Sequence, residues 1–270
     1  MNPFLITFVL NMKKHLCILF PKGCLCITFI FSLFTPQFCS AQADTSKKVT
    51  GYLSLGYGIS QPEGNYVSTA LNANSGYALT GSASYLSFGI MINSLNFGFA
   101  FMRGSNSNVY NINGYVASLQ ASDPLTTYTA VSSKQTYLCN YAFYGIYKAF
   151  YYKRFSFDFS LLLGNCTMSF PFVSYKMVTQ GGIYSAEYVN GGNVSALGYN
   201  GKLGIRYSVT KGFFAGIIID YIYSDFSFST SENYTDNSGT AHNYPLTWEL
   251  PMSVLNISLD AGWQFGRNLK

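Results

Sequence analysis

Beyond residue 43 the chain carries one histidine, His242, with Ser238 four residues before it. A serine and a histidine can make a nucleophile and its base, but only within hydrogen-bond reach and usually with a third, orienting group. The run Ser238-Gly239-Thr240-Ala241-His242 lies in a polar stretch and enforces no such geometry, so His242 reads as a solvated loop side chain. No His/Cys cluster has metal-ligand spacing, and no catalytic residue, metal or cofactor is expected. Gly56-Tyr57-Gly58 reads as room inside a crowded interior rather than as a phosphate loop. The residues with the most chemistry to account for are charges set in apolar company: Asp158, Lys202, Arg206, Asp220 and Asp260. Such charges persist in an interior only when paired.

The elements that must hold these residues are strands, because the mature chain alternates with period two. In Leu255-Asn256-Ile257-Ser258-Leu259-Asp260-Ala261-Gly262-Trp263-Gln264-Phe265 the odd positions are apolar and the even ones polar or glycine. Phe155, Phe157, Phe159, Leu161 and Leu163 alternate in the same way with Ser156, Asp158, Ser160, Leu162 and Gly164. Eight such segments are expected, at about 50–60, 79–92, 95–103, 136–147, 154–164, 194–209, 213–228 and 252–265. Most suit the roughly 9–11 residues of a tilted membrane-crossing strand. Short turns at Asn93-Ser94, 148–153 and Thr210-Lys211-Gly212 alternate with long polar loops at 61–78, 104–135, 165–193 and 229–251.

Composition narrows the setting. Only 10% of the residues are charged and 18% are aromatic, against about 25% charged in an ordinary soluble domain. No strand offers a Lys/Glu-rich face to water, and after residue 43 no apolar run is long enough for a membrane helix. A closed barrel is the remaining way to satisfy the backbone in lipid. The expected fold is therefore all-β: an eight-stranded antiparallel transmembrane β-barrel, an up-and-down meander over residues 44–270.

Residues 1–43 read as a signal peptide. Lys13 and Lys14 precede an apolar stretch from Leu25 to Phe34, and Ala41-Gln42-Ala43 supplies a small-x-small cleavage pattern. A membrane anchor or a lipoprotein signal ending at Cys39 are the alternatives. Without Lys13, Lys14 and Lys22 the formal charge falls from +5 to about +2. No basic block marks a nucleic-acid partner.

Gly51-Tyr52-Leu53-Ser54-Leu55-Gly56-Tyr57-Gly58 with Pro62 and Gly64, Gly204-Ile205-Arg206-Tyr207 before Thr210-Lys211-Gly212, and Val254-Leu255-Asn256-Ile257-Ser258-Leu259 carry a resemblance. By these residues the chain resembles the outer-membrane β-barrel domain family and, in architecture, the small OmpA- and OmpX-type barrels of Gram-negative bacteria. The resemblance covers nearly all of residues 49–265. It implies an outer-membrane location, periplasmic termini, extracellular long loops and recognition by the barrel-assembly machinery through a terminal strand ending at Phe265. Five further residues, Gly266 to Lys270, depart from the usual aromatic end.

The expected role is an integral outer-membrane barrel with a filled lumen, structural or surface-binding through its loops, with outer-membrane lipids and an extracellular loop ligand as partners. A narrow transporter of small apolar molecules is the alternative, and a lipid-modifying enzyme a more distant one. Phe170, Phe172 and Tyr175 read as interfacial aromatics rather than an entry to a lumen. The lumen parity holds Asp158, Lys202, Arg206, Asp220 and Asp260. Closing the turn at 210–212 sets Lys202 opposite Asp220, with Arg206 in reach of Asp158 or Asp260. Folding a hairpin about 151–153 brings Cys139 roughly opposite 165, so the spacing admits a Cys139–Cys166 disulfide, although strict alternation puts the two on opposite faces.

Overall fold

The structure, a computed structural model, describes residues 49–266 apart from 72–73, 133–134, 180–181, 190–191 and 237. The expected signal peptide lies outside the described residues. In chain order the elements are β1 (Val49–Pro62), a 3-10 turn (Gly64–Tyr66), β2 (Ala78–Ile92), β3 (Phe97–Tyr110), α1 (Ile112–Ser122), β4 (Thr127–Ala130), β5 (Thr136–Tyr152), β6 (Phe155–Ser169), β7 (Val173–Thr179), β8 (Gly182–Val189), β9 (Asn193–Ser208), β10 (Phe213–Thr235) and β11 (Ala241–Phe265). Eight of the strands (β1, β2, β3, β5, β6, β9, β10 and β11) pair antiparallel with their neighbours in that order. β11 then pairs with β1, Leu259 opposite Tyr57, and the sheet closes on itself. The fold is all-β, an eight-stranded antiparallel up-and-down barrel of transmembrane type.

Side-chain alternation sorts the wall into two faces. On β6, Ser156, Asp158, Ser160 and Leu162 are buried, while Phe155, Phe157, Leu161 and Leu163 are exposed. On β11, Asn256, Ser258 and Asp260 are buried, while Ile257, Leu259 and Trp263 are exposed, Leu259 by 72%. A soluble barrel would have these sets reversed. The five outward positions from Phe155 to Leu163 span about 26 Å along the strand and about 20 Å in height once the usual strand tilt is allowed for, most of a lipid-facing band about 25 Å tall. The interior takes large rings because small residues face them: a Cβ on Gly56 would lie 2.1 Å from Tyr85 Cζ, and one on Gly89 2.3 Å from Tyr52 Cε1.

Several strands run beyond the expected ends. β3 continues to Tyr110, β10 to Thr235, and β11 begins at Ala241. In the β11 extension the apolar set passes to the inward face, Leu250 buried and Glu249 exposed, and in the β3 extension both faces are polar, Asn106 and Asn108 pointing inward and Ser105 and Ser107 outward. The apolar-outward alternation disappears there while the backbone ladder continues. The stretches expected as loops at 104–135 and 165–193 also hold α1, β4, β7 and β8. β8 pairs with the upper part of β10, and β4, β7 and β8 extend the sheet beyond the barrel wall.

The β5–β6 hairpin closes on Lys153-Arg154, with Tyr152 opposite Phe155, rather than on 151–153. Lys153 takes a positive φ of 51° to make this two-residue turn. Cys139 therefore faces Met168, and Cys166 faces Tyr141. The three-residue change of register moves both cysteines to the same, inward face, where they are diagonal neighbours.

Candidate functional site

All five charged residues of the lumen parity are buried. Arg206 on β9 holds two of the carboxylates. Its Nε donates to Asp260 Oδ2 at 2.7 Å, from β11. Its Nη1 lies 2.7 Å from Asp158 Oδ2, on β6, a close ion pair whose angle is poor for a hydrogen bond. The other oxygens of the same carboxylates accept from tyrosines: Tyr147 donates to Asp158 Oδ1 at 2.9 Å and Tyr85 to Asp260 Oδ1 at 3.3 Å. The guanidinium also lies 3.8 Å from the centre of the Tyr52 ring and 4.8 Å from that of Phe214. A planar fork with a stackable face suits this place, where an ammonium would not.

One layer above, Asp220 on β10 stands opposite Lys202 on β9. The Lys202 ammonium nevertheless turns across the lumen to Tyr52 Oη, 3.1 Å away on β1, and to Ser87 Oγ, 2.9 Å away on β2. Asp220 Oδ1 accepts from two amides, Asn200 and Asn256, each at 3.0 Å. Asn256 in turn accepts from Asn106 Nδ2 on β3 at 3.2 Å. Polar contacts thus bridge strands that are not neighbours in the wall, which braces the barrel from within.

Above this layer the interior becomes apolar and aromatic, with Phe143, Met168, Ile222, Phe226, Leu250 and Met252 buried. Chain from the long loops then folds over the top. Ile112, Tyr115 and Val116 of α1 are buried there, and Asn111 caps the helix by accepting from the Gly114 N–H at 2.9 Å. Tyr115 packs edge-on against Tyr77 and Tyr175, and Tyr137 donates to the Gly76 carbonyl at 2.7 Å. Phe170 stacks on Phe228 at 3.6 Å. This corrects the interfacial assignment of two loop aromatics. Phe170 and Tyr175 are buried in the cap, Tyr175 at 2% exposure, and Phe172 alone of the three is exposed. The loops find an apolar surface to cover at the mouth of the barrel, so their aromatics turn inward.

The pair Ser238 and His242 occupies the tip of the β10–β11 hairpin, and both bind Asp236. Ser238 Oγ donates to Asp236 Oδ1 at 2.6 Å, and His242 Nε2 lies 3.0 Å from Asp236 Oδ2. The Asp236 carboxyl is held well below the usual carboxylate range by the Ser238 hydroxyl first, then His242 and the Thr240 N–H. Ser238 is thus bonded to the acid rather than to the imidazole, and His242 stacks on Tyr234 at 4.6 Å. The geometry is that of a side-chain-capped turn. Cys139 and Cys166 are free thiols, both buried.

The tyrosines and amides that complete the lumen network were not singled out from the sequence. Tyr52, Tyr85 and Tyr147 lie on the inward parity of their strands, as do Ser87, Asn200 and Asn256, so parity was the signal that could have found them. The hydroxyl groups of the three tyrosines are what the interior uses.

No protein-family model matches the chain, and no curated protein does. Among solved structures, the chain is similar to a major outer membrane protein from Thermus thermophilus, with TM-score 0.42, 11% identity, and 80% of this chain and 99% of that one covered. It is also similar to Ail, the attachment invasion locus protein of Yersinia pestis, with TM-score 0.39, 13% identity and coverage of 81% and 99%. Neisserial surface protein A gives TM-score 0.33, 13% identity and coverage of 81% and 97%.

Proposed function

We propose that the protein is an integral outer-membrane barrel whose lumen is closed by its own side chains and whose loop end serves as a surface for binding or shielding. The observation that carries this reading is the combination of a mainly apolar exterior, where Arg103 and Lys148 are the cations set within the strands of the wall, with charges buried and cross-braced inside. Lipid-facing Lys or Arg near the midplane would cost about 2–4 kcal/mol, and here Lys202 and Arg206 are inside, at 1% and 3% exposure. Eight strands enclose an interior that side chains can fill. The Arg206 clamp and the aromatic cap above it occupy the path a solute would need. The loop end, with its tyrosines, serines and asparagines, has a composition suited to adaptable contact.

Planar-bilayer recording is the direct test: the folded protein is expected to insert without conducting steps. Steady single-channel openings would replace the closed-lumen reading with a transport one. Tags at Asn113 and Gly182 are expected to label on intact cells and a tag at Lys211 only after permeabilisation. The opposite pattern would turn the barrel over.

A further inference from the structure

The charges outside the lumen are sorted by end. At the short-turn end, the charged exterior side chains among the described residues are Lys148, Lys153, Arg154 and Lys211, all cations. The carboxylates Glu63, Asp123, Asp225, Glu232, Asp236 and Glu249 lie at the loop end, where Lys176 is a cation, and Arg103 is a further exposed cation partway up the wall on β3. Net charge of the whole chain hides this, because the two ends nearly cancel.

The cations of the turn end are set among outward aromatics. Lys148 lies on the lipid-facing parity of β5 between Ile146 and Phe150, and its ammonium leans toward the turn, 5.0 Å from the centre of the Phe150 ring. That is how a lysine on an apolar wall brings its charge to the interface. Lys153 sits 5.5 Å from the centre of the Tyr152 ring. Arg154 Nη1 donates to Tyr207 Oη at 3.4 Å. Tyr207 packs edge-on with Phe155 at 5.2 Å, and Phe213 with Trp263 at 5.6 Å. Rings of this kind mark the headgroup level of a bilayer, so the four cations stand where lipid phosphates lie.

We infer that the turn-end rim formed by Lys148, Lys153, Arg154 and Lys211 is a binding surface for the headgroups of anionic glycerophospholipids in the leaflet it faces. Guanidinium and ammonium groups donate to phosphodiester oxygens. A zwitterionic headgroup presents the same phosphate with its own ammonium beside it and gains less from the rim. The inference rests on the membrane reading above. It adds the lipid class and the leaflet.

The test is lipid selectivity in reconstituted vesicles. The protein, purified in detergent, is incorporated into phosphatidylcholine vesicles with and without phosphatidylglycerol, and spin-labelled lipids of both kinds report which is immobilised at the wall. Phosphatidylglycerol is expected to be preferred by at least about threefold, since each basic residue near an anionic surface contributes measurably. The combined K148Q, K153Q, R154Q and K211Q variant is expected to lose the preference while remaining a folded, inserted barrel, and K176Q to keep it. Insertion without preference in the native protein, or an unchanged preference in the four-site variant, would overturn the lipid assignment and leave the membrane reading standing. Failure to float with vesicles of either composition would overturn both.

Discussion

Lys202 and Asp220 face each other across β9 and β10, yet each makes its hydrogen bonds elsewhere, the ammonium to Tyr52 and Ser87 and the carboxylate to Asn200 and Asn256. Register places the pair side by side, and the partners on distant strands decide where the charges point. The Ser87 hydroxyl is therefore expected to matter through Lys202. Ser87→Ala should cost about 1–3 kcal/mol, the usual loss for a charged group stripped of a partner. In a Lys202→Met background the same change should cost little. Urea unfolding of the four members of this cycle measures the coupling, and strictly additive losses would show that Ser87 does not serve the ammonium.

Arg206 joins β9 to β6 and β11 through two carboxylates. Arg206→Met should destabilise the barrel by about 3–5 kcal/mol, because it leaves Asp158 and Asp260 buried without a cation. Adding Asp158→Asn and Asp260→Asn should recover much of that loss. If the triple variant is no more stable than Arg206→Met, the cost lies in lost packing against Tyr52 and Phe214 instead.

The outward apolar belt makes an unusual demand on an exposed position. Leu259 is 72% exposed to the surroundings, and in water its replacement by arginine would change stability little. Facing lipid near the middle of the belt, Leu259→Arg should instead cost about 2–4 kcal/mol in vesicles. Equal stability of the two proteins in bilayers would place this face outside the hydrocarbon.

Cys139 and Cys166 are buried, reduced, and on one inward face. Neither should react with a maleimide in the folded barrel, and both should react after denaturation without reductant. Intact-mass measurement gives the count directly. A denatured protein that takes no label until it is reduced would show that the diagonal pair is bridged.

The hairpin tip has its own pH response. Asp236 is held below the usual carboxylate range by hydrogen bonds that exist only in the ordered turn. A depressed carboxyl contributes order that is fully present above its unfolded value, about 3.9, and is lost as pH falls below that toward its folded value. Intrinsic-rate-corrected hydrogen exchange at the Ser238 and Thr240 amides, which donate to Asp236, should therefore show constant protection near neutrality and falling protection in acid. Asp236→Asn should reduce protection at neutral pH and remove the acid dependence. A pH response unchanged by that substitution would assign it to another group.

The barrel itself was legible in the sequence because lipid imposes a strict rule on a strand's outward positions. Phe155, Phe157, Leu161 and Leu163 could not alternate with Ser156, Asp158 and Ser160 in any common fold with water outside. The same rule gave the inward parity of Asp158, Lys202, Arg206, Asp220 and Asp260, and the short turn after Val209 gave the register of Lys202 against Asp220. Above the apolar belt the rule lapses. Asn106 and Ser107 are both acceptable to water, so the continuation of β3 left no trace in the pattern, and the β5–β6 turn could not be placed well enough to set Cys139 against its true partner. Tertiary structure alone decided which of several inward groups bind one another, that Arg206 holds two carboxylates rather than one, and that Phe170 and Tyr175 fold back over the barrel mouth. Each of those choices depends on distances between strands far apart in sequence. A local alternation of side chains fixes which way a residue points, but not what it meets there.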